Sequence, residues 1–316
     1  MPIAANEWSL NDDASFEEQM LHLWGDWGCC SEIGRLRAVL LRRPGREIEN
    51  LPEDLSSVLF AERMDPERAR AQHYAMADLY RANGVQVHYI EKMQEHEPNG
   101  MFVRDLVAMT PEGAILARPG TQVRRGEVRY VAEALACLGV PILHTVAGIG
   151  TFEGADLMWV NRDLAFVGIS RRTNAEGNRQ VCAELERMGV GEIVTVQVPW
   201  SEAHLDGMMA ILDHKLAIVY ATQVPYVVVE ALHRHGFRIL EVTSEREARY
   251  GVALNLVALE PGRVVLPLIL PEGENTDTIG LIRKAGVEVM TIALDECLKG
   301  AGSIHCMTAF LKRDEQ

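Results

Sequence analysis

The chain has little of what would carry it out of a cell or into a membrane. Its opening, MPIAANEWSLNDD, has no basic stretch and no apolar core, so no signal peptide is expected. No apolar run approaches the roughly 18 residues that a bilayer span requires. Six cysteines occur in 316 residues, none in a CxxC spacing. The adjacent Cys29 and Cys30 look like neither a zinc site nor a secreted disulfide framework. Positive charge is also short: 31 Lys and Arg against 45 Asp and Glu leave a formal net charge of −14. The acidity is spread along the chain, which argues against nucleic acid or an anionic membrane surface as partner. These absences point to a protein of the reducing cytoplasm. The chain does hold 48% hydrophobic and 24% charged residues, the balance of a globular protein with a substantial core.

A pattern returns five times from about Gly34 onward. Its clearest parts are the closing halves DLYRANGVQVHYI, EALACLGVPILHT, ELERMGVGEIVTV, EALHRHGFRILEV and IRKAGVEVMTIAL. Each is a helix end, a glycine (Gly84, Gly139, Gly189, Gly236, Gly286) and an apolar strand, with the glycines 47 to 55 residues apart. A glycine just past the last turn adopts the left-handed C-cap conformation without a Cβ penalty. Four opening halves, VAMTPEGAILA, MWVNRDLAFVG, MAILDHKLAIV and LVALEPGRVVL, read as hairpins. The first unit has one strand in SEIGRLRAVLLRRPG, then a long loop at 45–66, the expected lid, and a helix at about 66–83. The units run 34–98, 101–148, 152–200, 204–245 and 249–298, with a closing segment at 299–316. Residues 1–30, with Trp8, Trp24 and Trp27, read as an arm or helix packed outside. One such unit cannot bury its own apolar face, so repetition at this period implies a single domain of ββαβ units closed on itself around a channel. Chance recurrence in an open α/β sheet is the alternative.

Polar residues sit at matching points of the repeat. FVRD (102–105), FEGAD (152–156) and HLDG (204–207) each precede a hairpin, and GSIHC follows the last closing strand. Rotation would bring Asp105, Glu153, Asp156, His204, Asp206 and Cys306 to one end of the channel. Taken singly, each has a structural explanation: Asp105 as a turn residue bridged to Arg104, Glu153 and Asp156 as ordering a glycine turn, His204 and Asp206 as a surface pair, Cys306 as a small buried hydrophobe. Together they suit nucleophilic catalysis, in which a thiolate attacks and an imidazole shuttles protons. Their spacing does not favour a metal, and no cofactor is expected. Carboxylates beside a thiolate oppose its formation unless the substrate is cationic. A guanidinium, with five N–H donors in a rigid fork, matches them and lowers the thiol pKa when bound.

At these residues the chain resembles the arginine deiminase and amidinotransferase superfamily. The similarity runs from about Cys30 to Thr308 through SEIGRLRAVLLRRPGREIENL, FVRD, FEGAD, GISRRTN (168–174), HLD and GSIHCMT, and the N-terminal stretch favours the deiminase branch. The resemblance implies a five-bladed α/β propeller, the pentein fold, of five-fold pseudosymmetry. It implies Cys306 as nucleophile and His204 as general acid and base. Asp105 and Asp206 would hold the guanidinium nitrogens, with Glu153 beside them and Asp156 as a supporting carboxylate. Arg172, with Arg124 or Arg125, would bind the substrate carboxylate. The chain departs from the family in lacking a helical insert at 91–100, in having Ala301 in place of an arginine, with Lys299 as its nearest substitute, and in having Gly207–Met208 after HLD. The leading expectation is a deiminase-type hydrolase acting on arginine or a derivative through a thiouronium on Cys306. Dimethylarginine dimethylaminohydrolase, arginine dihydrolase and amidinotransferase activities are the enzymatic alternatives, and a binding protein on the same propeller is the other. The partner would be a small cationic guanidino compound; self-association is left open.

Overall fold

The structure, a computed structural model, describes residues 14–92, 95–269 and 275–315; Trp8 lies outside them. Among these residues fifteen strands assort into five three-stranded sheets. The second sheet is β3 (Val107–Thr110), β4 (Gly113–Leu116) and β5 (Ile142–Thr145). The third is β6 (Leu157–Asn161), β7 (Leu164–Ile169) and β8 (Glu192–Gln197). The fourth is β9 (Met209–Asp213), β10 (Leu216–Tyr220) and β11 (Arg238–Val242). The fifth is β12 (Val257–Glu260), β13 (Arg263–Leu268) and β14 (Glu288–Ala293). In each, the central strand pairs antiparallel with the strand before it and parallel with the strand after it.

The first sheet obeys the same rule with a borrowed strand. β1 (Leu36–Leu41) is parallel to β2 (Gln86–Tyr89) and antiparallel to β15 (Ala309–Arg313), the last strand of the chain, with Val39 opposite Phe310 and Leu40 opposite Ala309. The two ends of the chain thus complete one blade, and the molecule is a five-fold pseudosymmetric α/β propeller. Arg313, 2% exposed, reinforces the junction by donating from Nη1 to Gly34 O at 2.7 Å and Ala258 O at 2.9 Å, which links the first blade to the fifth.

A parallel pair needs a crossover, and here it is a helix. After α1 (Phe16–Leu23) come α2 (Pro66–Ala82), α3 (Val128–Leu138), α4 (Ala175–Arg187), α5 (Tyr226–Arg234) and α6 (Thr276–Lys284), one per blade. The glycines that follow α2 to α6 all have φ between +75° and +98°, as the C-cap reading expects. The paired inner strands are buried on both faces, and this explains their unbroken apolar runs; the closing strand β8 alternates buried and exposed positions from Val194 to Gln197 because one face meets solvent. The arm is the capped helix α1, with Met20 buried and Glu17 paired to Arg162 of the third blade.

Short helical turns enter the antiparallel strands: Val103–Leu106 before β3, Gly154–Asp156 before β6 and Leu205–Gly207 before β9. After α7 (Asp295–Leu298), α8 (Ile304–Met307) does the same before β15. These turns touch one another around the ring axis. A Cβ on Gly154 would stand 2.4 Å from both Arg104 O and Val107 O, so that close approach requires glycine.

Candidate active site

The turns and their caps put side chains into a cavity of about 230 Å³, whose wall includes Asp105, Glu153, His204, Asp206 and Cys306. Cys306 lies on α8, behind the N-cap Ser303, and is partly exposed to the cavity. Its thiol faces Asp206 Oδ2 at 3.5 Å and accepts from Asn255 Nδ2 at 3.1 Å. Burial, then the Asp206 and Asp105 carboxylates, push this thiol well above its ordinary pKa.

His204 stands at the head of the Leu205–Gly207 turn. Its Nε2 and Glu153 Oε2 are 2.8 Å apart, and its Nδ1 is 3.8 Å from Asp105 Oδ1. Burial lowers an imidazole pKa, but Asp105, Glu153 and Asp156 outweigh it and raise His204 to about 10. Burial raises Glu153, and the His204 N–H and nearby arginines reverse that and hold it at about 2. At neutral pH the pair is imidazolium and carboxylate. Asp105, by contrast, is pushed up by burial, while His204 and Arg124 pull it down.

Behind Cys306 lies a second chain of contacts that the sequence reading did not include. Asp206 Oδ2 accepts from Asn255 Nδ2 at 3.0 Å and meets His305 Nδ1 at 2.9 Å. His305 Nε2 meets Glu32 Oε2 at 3.1 Å, and Glu32 Oε1 accepts from Arg104 Nη2 at 3.2 Å. Burial lowers the pKa of His305, but Asp206 and Glu32 raise it further, so charge alternates along the chain. Asn255 also accepts from the His305 backbone N–H at 3.0 Å, which ties the fifth unit to the Cys306 turn. Asn255 was findable: it stands two residues before β12, where Asp105 stands before β3. His305 was inside the quoted motif, and Glu32 precedes β1 in SEIG. No charge pattern marked either, because their partners are 99 and 273 residues away.

Asp105, Glu153, His204, Asp206, Arg172 and Cys306 are brought together as expected. Arg172 lines the cavity, donating from Nη1 to Thr121 Oγ1 at 3.1 Å with Glu153 Oε1 at 3.8 Å. Four expectations are corrected. Asp156 is not on the cavity wall; it is fully buried, accepts from Ser170 Oγ at 2.7 Å, and acts on His204 only through charge. Arg124 reaches the wall but its guanidinium is committed to Asp105, Glu127 and the carbonyls of Asn99 and Phe102, so it braces Asp105. Arg125 turns away and donates to Pro119 O at 3.1 Å. Lys299 pairs with the buried Glu296 at 2.7 Å, so it cannot replace the cation missing at Ala301. Ala301 itself lines the cavity at φ +65°, between glycines that pack on Phe102. The loop at 45–66 supplies Leu59 to the wall and is pinned to the same segment by Ala61 N–H donating to Lys299 O at 2.8 Å.

Asp105, Glu153 and His204 also place ligand atoms within 4.8 Å of one another, close enough for a metal ion. A protonated imidazole has no lone pair to offer, so a metal could bind here only by displacing the His204 proton. The remaining arrangement is an acid (His204), a thiol and anionic oxygens facing one space: equipment for displacing an amine from a cationic carbon.

Comparison with known proteins agrees with this chemistry. Residues 58–313 match the family described as N,N dimethylarginine dimethylhydrolase, eukaryotic. The N(G),N(G)-dimethylarginine dimethylaminohydrolase of Pseudomonas aeruginosa is 28% identical over 271 residues, covering 85% of this chain and 97% of that one. The arginine deiminase of Mycoplasma capricolum is 24% identical over 394 residues, covering 90% and 96%. Among solved structures, a cysteine-to-serine mutant of the Pseudomonas aeruginosa enzyme complexed with citrulline superposes with a TM-score of 0.71 at 26% identity, covering 87% of this chain and 98% of that one.

Proposed function

The chain belongs to the N,N-dimethylarginine dimethylhydrolase family, and from that premise we propose that it hydrolyses N-methylated arginine to a methylamine and a ureido amino acid. It is a hydrolase of guanidino groups. The finer reading rests on one observation: Cys306, the His204–Glu153 pair, Asp105 and Asp206 face one cavity from four different blades. The family match favours a methylated substrate over the unmodified arginine that the sequence placed first. The short connection at 91–100 agrees, since the arginine deiminase relative aligns over 394 residues and this chain has 316.

A guanidinium entering between Asp105 and Asp206 offsets the negative field that keeps Cys306 protonated. The thiol proton then leaves to solvent, and Sγ attacks the guanidinium carbon. The His204 imidazolium gives its proton to the departing methylated nitrogen, the C–N bond breaks, and a thiouronium remains on Cys306. Neutral His204, still held by Glu153, takes a proton from water as the oxygen adds to the same carbon. The C–S bond then breaks, and the ureido product leaves.

The test is product analysis on purified protein with dimethylarginine, monomethylarginine and arginine. A ureido product with methylamines as the faster-formed amines is expected, and Cys306→Ala is expected to lower turnover by at least about a thousandfold. Faster ammonia release from arginine would return the assignment to a deiminase. Absence of ureido product from all three would reject it.

A further inference from the structure

One carboxylate in the cavity wall has no part in the chemistry above. Glu202 lies in the loop between β8 and His204 and lines the cavity beside Asp206 and Gly207. Its Oε1 is buried and has no hydrogen-bond partner among the described residues. Arg249 Nε stands 4.0 Å from it, beyond hydrogen-bond reach, and Arg249 donates from Nη1 to Glu245 Oε1 at 3.2 Å. Burial pushes the Glu202 pKa up, Arg249 pulls it part of the way back, and Asp206 raises it again.

A carboxylate oxygen buried without a hydrogen-bond donor carries a desolvation cost that a cationic donor removes. The chain also makes room for it. A Cβ on Gly207 would stand 2.7 Å from Glu202 Oε2, so a side chain at 207 would make the end of this carboxylate shift. The segment across Gly300–Gly302 gives no competing cation, because Ala301 offers a methyl group and Lys299 is held by Glu296. The guanidinium itself is taken by Asp105 and Asp206. What remains for Glu202 is a second, separate positive group on the same molecule.

We propose that Glu202 forms a subsite for the primary ammonium of a guanidino compound, so that this cavity selects guanidines carrying a second cation over those that do not. This rests on the hydrolase reading for its substrate class, and the geometry at Glu202 and Gly207 is independent of the reaction.

The test compares 4-aminobutylguanidine with butylguanidine, which differ in the ammonium alone, by calorimetric binding to Cys306→Ser protein with and without Glu202→Gln. Loss of the charge is expected to weaken 4-aminobutylguanidine roughly 10–100-fold and to leave butylguanidine within about twofold. In the active enzyme, Glu202→Gln is expected to raise KM for dimethylarginine and leave kcat nearly unchanged. Equal effects on both guanidines, or none on either, would overturn the subsite. Turnover by the native enzyme combined with binding indifferent to Glu202 would reject the subsite alone. Glu202-dependent binding without any turnover would reject the hydrolase reading alone. No binding of either guanidine would reject both.

Discussion

Cys306 and His204 rest in the opposite protonation states from those of a preformed thiolate and a neutral base. Burial, with Asp206 and Asp105, holds the thiol protonated, and Asp105, Glu153 and Asp156 keep His204 charged. A cationic substrate reverses the first effect, and the departing amine then uses the proton stored by the second. The His204 pKa rises from 6.5 to about 10 on folding. A raised value means that the protonated form stabilises the fold: the contribution is complete below about pH 6.5 and disappears as pH rises toward 10. Unfolding of wild type and His204→Gln should therefore differ by roughly 2–5 kcal/mol near pH 6, with the gap closing by pH 10. A gap constant with pH in denaturant titrations would show that His204 is neutral in the fold. Cys306, His204, Asp105 and Asp206 were legible as chemistry because each residue type sat at a repeated position. Their charge states were not, since these depend on burial and on neighbours far apart in the chain.

The short turns at the entry to each antiparallel strand set the site. They bring a carboxylate, an imidazole or a thiol to the same height on successive blades, and they must touch to do so. Gly154 sits where two of them meet, under the carbonyls of Arg104 and Val107. Gly154→Ala should cost about 1–3 kcal/mol in denaturant unfolding and lower kcat, because separation of these turns moves Glu153 relative to Asp105. Gly84→Ala meets nothing within 4 Å, so any cost there comes only from its positive φ of 77° and should leave kcat unchanged. The helix-ending glycines and hairpins were visible in the sequence because capping and turn chemistry are local. The turn of the fifth unit was passed over because its functional residue, Asn255, carries no charge.

Closure belongs to the whole molecule. β1 finds its antiparallel partner in β15, and Arg313 joins the first blade to the fifth through Gly34 O and Ala258 O. Arg313→Ala should remove about 2–4 kcal/mol, since two buried carbonyls lose their donor. Urea unfolding measures this directly. An unchanged midpoint would mean that strand pairing alone holds the ring.

The sequence by itself determined the repeat, the strand and helix order, the class of reaction and the convergence of Asp105, Glu153, His204, Asp206 and Cys306. These follow from periodicity, from glycine stereochemistry and from residue types at matched positions, all of which are local. Only the tertiary structure decided that Arg124 braces Asp105, that Asp156 stands behind the wall, that Lys299 is spent on Glu296, and that Asn255, His305 and Glu32 support Cys306. Most of those outcomes depend on which groups meet across 19 to 273 residues of chain once the ring has closed, and no local pattern encodes the competition among nearby carboxylates for one cation.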